Sequence, residues 1–233
     1  MLLSWIKKTT LLDYPGKVST IVFTLGCNMR CQYCHNYEFV LPEKVKDFMK
    51  DLISDVAFFN FLKTRVGFLD WVVISGWEPT IQKDLYSFIK KIKELWYLVK
   101  LDTNWRDPDI LQKLIDDRMI DYIAMDIKNP FNRYKIITWV EEDMSAYRKS
   151  ASMIMSSGVD YEFRTTVAKW YHSDEIIKEI WEDIRWAKKW FLQNYEEKNI
   201  LNSSFDGKPF ISEELLKLKL IWSLYTDKCE IRK

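Results

Sequence analysis

At 233 residues, 48% of them hydrophobic, the chain is long enough for one large α/β domain and too apolar to be disordered. Its 35 Lys and Arg against 34 Asp and Glu leave a formal net charge of +1, which argues against a nucleic-acid or membrane-surface partner. No run of about 18 apolar residues suggests a membrane span, the start "MLLSWIKKTTLLDYPG" lacks the form of a signal peptide, and in the cytoplasmic, reducing setting this implies, four cysteines read as metal ligands or catalysts ahead of disulfides.

Strands and helices alternate along the chain. A strand is expected over 17–25, "KVSTIVFTL", and a charged, periodic helix over 43–65. The next strand, 71–75, runs into "SGWEPT". From Thr80 the apolar positions Ile81, Leu85, Phe88, Ile92 and Leu95 recur with a helical period. A strand over 97–104 follows. Asp107 then caps a helix with Pro108 at its first position. Further strands are expected at 121–128, 159–167 and 191–195. Helices are expected at 142–157, from the Ser173 cap to about Lys188, and at 211–226. Six β-α units with short connections imply parallel strands with right-handed crossovers, either an open doubly wound sheet or an incomplete barrel. No linker or short repeat interrupts them.

Directly after the first expected strand comes "LGCNMRCQYCHN", with Cys27, Cys31 and Cys34 spaced C-x3-C-x2-C. Strand C-terminal ends are where α/β proteins place their chemistry. Thiolates select zinc or iron–sulfur clusters. Zinc would need His35 as a fourth ligand, and adjacent Cys34 and His35 are poorly disposed to share one tetrahedral ion. A [4Fe–4S] cluster on three cysteines leaves one iron open. Unrelated thiols are the bland alternative, and Cys229, far from the motif, reads as an ordinary free thiol.

This spacing resembles the hallmark of the radical S-adenosylmethionine superfamily. The segment "TTLLDYPGKVSTIVFTLGCNMRCQYCHN" is similar to the opening of activating proteins for anaerobic ribonucleoside-triphosphate reductase, "ISGWEPT" resembles their "GGEPT" loop, and "VKLDTNW", "DYIAMDIK" and "DYEFRTTV" resemble their later strands. The likeness implies a partial (β/α)6 barrel in a single domain over 1–233, with a core of about 17–195 and a C-terminal extension of about 196–233. It implies a [4Fe–4S] cluster on Cys27, Cys31 and Cys34 that reductively cleaves S-adenosylmethionine. The radical so formed takes a hydrogen atom from a backbone glycine of the anaerobic reductase, and a flavodoxin- or ferredoxin-like protein donates the electron. Carried over by position, Tyr33 lies near the adenine, and Gly76, Trp77 and Glu78 meet the methionyl amino group. Thr103, Asn104, Asp126 and Lys128 contact the carboxylate or ribose, while Arg164 and His172 complete the cofactor site. Each has a structural alternative: Asp126 pairing with Lys128, Arg164 in an ion pair, His172 on a surface loop. Other functions stay open, either another radical S-adenosylmethionine enzyme acting on a small molecule or RNA, or a zinc-binding module without catalysis. The absence of a second cysteine cluster favours the simpler reductase-activator type.

Tryptophan stands where glycine is expected. Gly (6) and Trp (11) together make 17 of 233 residues, close to the ~7% that glycine alone usually supplies. Trp71, Trp77, Trp96, Trp105 and Trp170 occupy turns that call for positive φ or close backbone approach. The family resemblance adds Trp5, Trp139, Trp181 and Trp186, while Trp190 and Trp222 stay unassigned. The expectation is that UGA codons, read as glycine in the cell of origin, stand here as tryptophan. The alternative is that these are core aromatics, most plausible at Trp181, one helical turn from Ile177.

Overall fold

The structure is a computed structural model that describes residues 1–14, 16–141, 143–224, 226 and 228–232. The chain gathers into two compact units, one of residues 1–28 and 38–124, the other of residues 29–37 and 125–233.

In the first unit, β1 (Leu3–Thr10) and β2 (Ser19–Thr24) are followed by α1 (Pro42–Phe48) and α2 (Asp55–Lys63). Then come β3 (Trp71–Gly76), α3 (Leu85–Glu94), β4 (Leu98–Thr103) and α4 (Pro108–Asp116). Strand β1, which the sequence pattern did not reveal, runs antiparallel to β2, with Ile6 opposite Val22. Strands β2, β3 and β4 are parallel, in the register Val22–Ile74–Leu101. Val22, Val72, Val73, Ile74, Val99 and Leu101 are fully buried. Strands covered on both faces lose alternation and read as the continuous β-branched runs seen here. The α3 stripe of Leu85, Phe88, Ile89 and Ile92 is buried as its period requires, and Phe88 stacks on Phe58 of α2 at 5.3 Å. Asp107 caps α4 by accepting from the N–H groups of Asp109 and Ile110.

The single helix expected over 43–65 is two helices. Leu52 turns extended, and the Ile53 N–H donates to the Leu3 carbonyl at 2.8 Å. That backbone bond interrupts the helix between α1 and α2.

Strand β5 (Tyr122–Asp126) leads into the second unit, which holds α5 (Tyr134–Thr138), α6 (Ser145–Ser156), β6 (Asp160–Val167), α7 (Asp174–Asp183), β7 (Lys189–Asn194), α8 (Ser212–Trp222) and β8 (Lys228–Arg232). Strands β6, β7 and β8 are parallel neighbours. Ser173 caps α7 through the Ile176 N–H. Trp190 of β7 and Trp222 of α8 are fully buried and stacked, their centroids 4.0 Å apart. Strand β8 and helix α5 were not expected, and α7 ends at Asp183, short of Lys188. Positions 142 and 225 of the helices expected over 142–157 and 211–226, and Pro15 of the opening motif, lie outside the described residues. Strands β1 and β8 each have one strand neighbour, so the fold is α/β with an open sheet, as a partial barrel requires. Among the described residues no helix is long and apolar enough to cross a membrane.

Seven described non-glycine residues have positive φ, and five are tryptophan: Trp96 (67°), Trp105 (49°), Trp139 (52°), Trp170 (75°) and Trp186 (77°). The expectation of a left-handed turn does not hold at Trp71, which opens β3 in extended backbone and stacks on Tyr14 at 4.1 Å. Trp77 is not left-handed either. Trp5 sits in β1 beside an irregularity in its pairing with β2, and Trp181 lies within α7.

Candidate active site

In the first unit the site begins where β2 and β3 end side by side. Gly76 pairs with Thr24 and has φ +117°. A Cβ there would stand 2.4 Å from the Thr24 nitrogen, so only glycine fits. The next residue, Trp77, turns its ring onto Phe39, 4.4 Å away. Glu78 follows, fully buried. Its Oε1 accepts from the Thr103 hydroxyl at 2.5 Å and from the Thr80 N–H at 3.0 Å, and its Oε2 accepts from the Asn104 N–H at 2.6 Å. Burial raises the Glu78 pKa, and the donors from Thr103, Thr80 and Asn104 pull the other way. This one carboxylate thus fastens the loop after β3 to the end of β4, bringing Gly76, Glu78, Thr103 and Asn104 together. Asn104 in turn donates from Nδ2 to the Asn28 Oδ1 at 2.7 Å, with the Cys27 sulfur 3.8 Å from the same nitrogen.

In the second unit Cys31 and Cys34 share a tight turn closed by the Cys34 N–H on the Cys31 carbonyl at 2.9 Å. Both residues keep some exposed surface, while burial of the sulfurs pushes Cys31 up to about 11 and also raises Cys34; a metal would have to displace the thiol protons. The turn is held from two sides. The N–H groups of Arg30 and Gln32 donate to the carbonyls of Thr138 and Ile137 at 3.0 and 2.9 Å, and those of Leu201 and Asn202 donate to the carbonyls of Cys34 and Gln32 at 3.0 and 2.9 Å. The Asn202 amide also donates to the Gln32 Oε1 at 2.6 Å. Sequence reasoning missed Gln32 and Asn202; no local pattern marks two polar residues that meet across the chain. Tyr33 is buried with its ring near Tyr195 and Phe205, and its hydroxyl has no protein partner.

Asp126 accepts from the Arg164 Nε at 2.8 Å and from the Lys128 Nζ at 3.0 Å. The structural alternatives for these residues are therefore realised as one three-member cluster. His172 is buried, not on a surface loop. Its Nδ1 accepts from the Ala168 N–H at 3.1 Å, which leaves Nε2 protonated and facing the Lys128 carbonyl at 3.1 Å. Burial lowers its pKa, and its backbone hydrogen bonds at Lys128 and Ala168 pull the other way. The ring is a clamp between the segments after β5 and β6.

By their chemistry, the thiols of Cys27, Cys31 and Cys34 are donors of the kind that hold an iron–sulfur cluster. The Asn28 Nδ2 and Asn104 Oδ1 beside Cys27 are buried without a protein partner, unused polar atoms of the kind a bound group would engage.

Residues 21–187 match the radical SAM superfamily. A protein of Methanocaldococcus jannaschii named "Putative glycyl-radical enzyme activating enzyme MJ1227" is 33% identical over 99% of this chain and 95% of its own length. The pyruvate formate-lyase-activating enzyme of Listeria monocytogenes is 32% identical over 54% of each chain. The crystal structure of Streptococcus suis SuiB bound to S-adenosylmethionine has the same fold, with TM-score 0.65 and 16% identity over 91% of this chain and 52% of that one. Enzymes of this superfamily work with a [4Fe–4S] cluster and S-adenosylmethionine. The chain belongs to the radical SAM superfamily and, within it, to the glycyl-radical enzyme activating enzymes.

Proposed function

We propose that this enzyme installs the glycyl radical of an anaerobic ribonucleoside-triphosphate reductase. Activation of a glycyl-radical enzyme is supported by the match to the protein named "Putative glycyl-radical enzyme activating enzyme MJ1227" over 99% of this chain and 95% of that relative; the reductase as partner rests on the resemblance of the segment around Cys27, Cys31 and Cys34. The four cysteines of this sequence include only one close set, in keeping with the simpler reductase-activator type that the sequence resembles. Cys27, Cys31 and Cys34 would hold the cluster. Bound cluster and S-adenosylmethionine supply the electron and the radical that removes the glycine hydrogen. The chain's own residues bind and orient. Gly76 lets the loop after β3 lie against β2, and the buried Glu78 holds that loop to Thr103 and Asn104. The Asp126–Lys128–Arg164 cluster offers paired charges for the polar end of the cofactor. Tyr33 would offer its ring to the adenine, and His172 sets the backbone at Lys128. A flavodoxin- or ferredoxin-like donor and a cytoplasmic setting complete the reading.

The test is anaerobic. Reconstituted enzyme, S-adenosylmethionine, a reductant and the candidate reductase are mixed and frozen for electron paramagnetic resonance. A glycyl doublet on the reductase is the expected result. A doublet on pyruvate formate-lyase and none on the reductase would redirect the assignment to another glycyl-radical partner.

A further inference from the structure

Left-handed backbone disfavours every L residue with a Cβ, and a bulky aromatic more than most. Yet five of seven such positions here are tryptophan, a residue that supplies 11 of 233 in the chain. Each of the five lies between regular elements, four of them between a helix and a strand and Trp139 between two helices, the usual sites of a left-handed glycine. Trp96 follows α3 and donates its N–H to the Lys93 carbonyl at 2.9 Å. Trp139 is the left-handed cap of α5. Trp186 separates α7 from β7, Trp170 follows β6, and Trp105 follows β4.

Packing points the same way. Trp96 is 92% exposed, Trp186 77%, Trp170 75% and Trp139 49%. A side chain that gains most from burial is left in water at four strained positions. Trp105 is buried, and its left-handed backbone alone sets it apart. Trp190 and Trp222 behave differently. They stack on each other, and the Trp190 indole N–H donates to the Thr165 hydroxyl at 2.9 Å. Backbone and packing therefore separate these five tryptophans from Trp190 and Trp222, which composition alone does not.

We propose that the protein made in its own cell carries glycine at positions 96, 105, 139, 170 and 186, each encoded by UGA, and tryptophan at 190 and 222. Residue 105 adjoins Asn104 in the candidate site, and its N–H donates to the Thr103 hydroxyl at 3.0 Å. Glycine there keeps that bond and removes the indole.

Tandem mass spectrometry of the protein isolated from its native cells tests this directly. Glycine masses in the peptides covering the five positions, with tryptophan at 190 and 222, are expected. Tryptophan at the five positions overturns the proposal. Stability gives a second readout with recombinant protein. The combined variant Trp96→Gly, Trp139→Gly, Trp170→Gly and Trp186→Gly should raise the melting midpoint by on the order of 10 °C. Trp190→Gly and Trp222→Gly should each lower it by on the order of 10 °C. A combined variant that melts no higher than the unsubstituted chain counts against the assignment.

Discussion

Replacing Asp126 with asparagine removes a carboxylate on which Arg164 and Lys128 both converge. Burial alone would raise the Asp126 pKa, but the two cations outweigh it and hold it at about 2, against an ordinary 3.8. A depressed native pKa means that ionised Asp126 stabilises the fold above the unfolded-state value. That stability is lost as pH falls from about 4 towards about 2. The shift, at ~1.4 kcal/mol per pKa unit, contributes on the order of 2 kcal/mol. The carboxylate is only 24% exposed, so solvent screening takes little from it. The neutral amide of Asp126→Asn would also leave two cations facing each other, bringing the neutral-pH cost to roughly 2–4 kcal/mol. Urea unfolding of the metal-free wild type and of Asp126→Asn, at steps from pH 7 to pH 3, reads the gap between them. It should be steady from pH 7 to 5 and shrink by pH 3. A gap that stays level to pH 3 would refute the pairing as its source.

Cys27→Ala, Cys31→Ala and Cys34→Ala should each abolish stable incorporation of iron and sulfide, while Cys229→Ala keeps it; iron and acid-labile sulfide analysis decides. Gly76→Ala should cost roughly 2–4 kcal/mol in chemical unfolding, because its Cβ would meet the Thr24 backbone; a loss under about 1 kcal/mol would mean that β2 and β3 can part at little cost. Trp77→Gly should tighten S-adenosylmethionine binding to the reconstituted enzyme, and equal affinities by calorimetry would show that the indole leaves the loop free.

Local chemistry made much of this fold legible. The α3 stripe, the Asp107 and Ser173 caps and the β-branched runs of β2 and β3 are short-range patterns, and they fold as written. Strand β1 escaped because "LSWIKKTT" mixes lysines and an exposed Trp5 with few apolar positions, as an edge strand does. Strand β8 reads as a charged tail, and its place beside β7 depends on tertiary pairing. In the site, Asp126 and Lys128 are two apart and visibly suited to pair, although β5 ends at Asp126 and not at the expected 128; their union with Arg164 needs β6. Glu78-Pro79 announces a loop, yet its hold on Thr103 and Asn104 crosses 25 and 26 residues. Of the turns that called for glycine, the structure agrees at 96, 105 and 170. It disagrees at Trp71, where the turn signal of Asp70 gives way to the strand it precedes.

The bonds from Leu201 and Asn202 to the cysteine turn also set an order in time. Gln32 and Asn202 are 170 residues apart, so a ribosome that has released the motif must still make most of the chain before its last fastenings exist. Closing so long a loop is slow, and the contact cannot form early. The turn carrying Cys31 and Cys34 is thus among the first segments synthesised, yet it gains its contacts from Leu201 and Asn202 only after most of the chain has been made. Cluster delivery to a finished chain would meet a fixed turn, whereas delivery during synthesis would meet a mobile one. Residues beyond 195, which carry little sequence signal of their own, become the part of the chain that times when the centre is ready to be built.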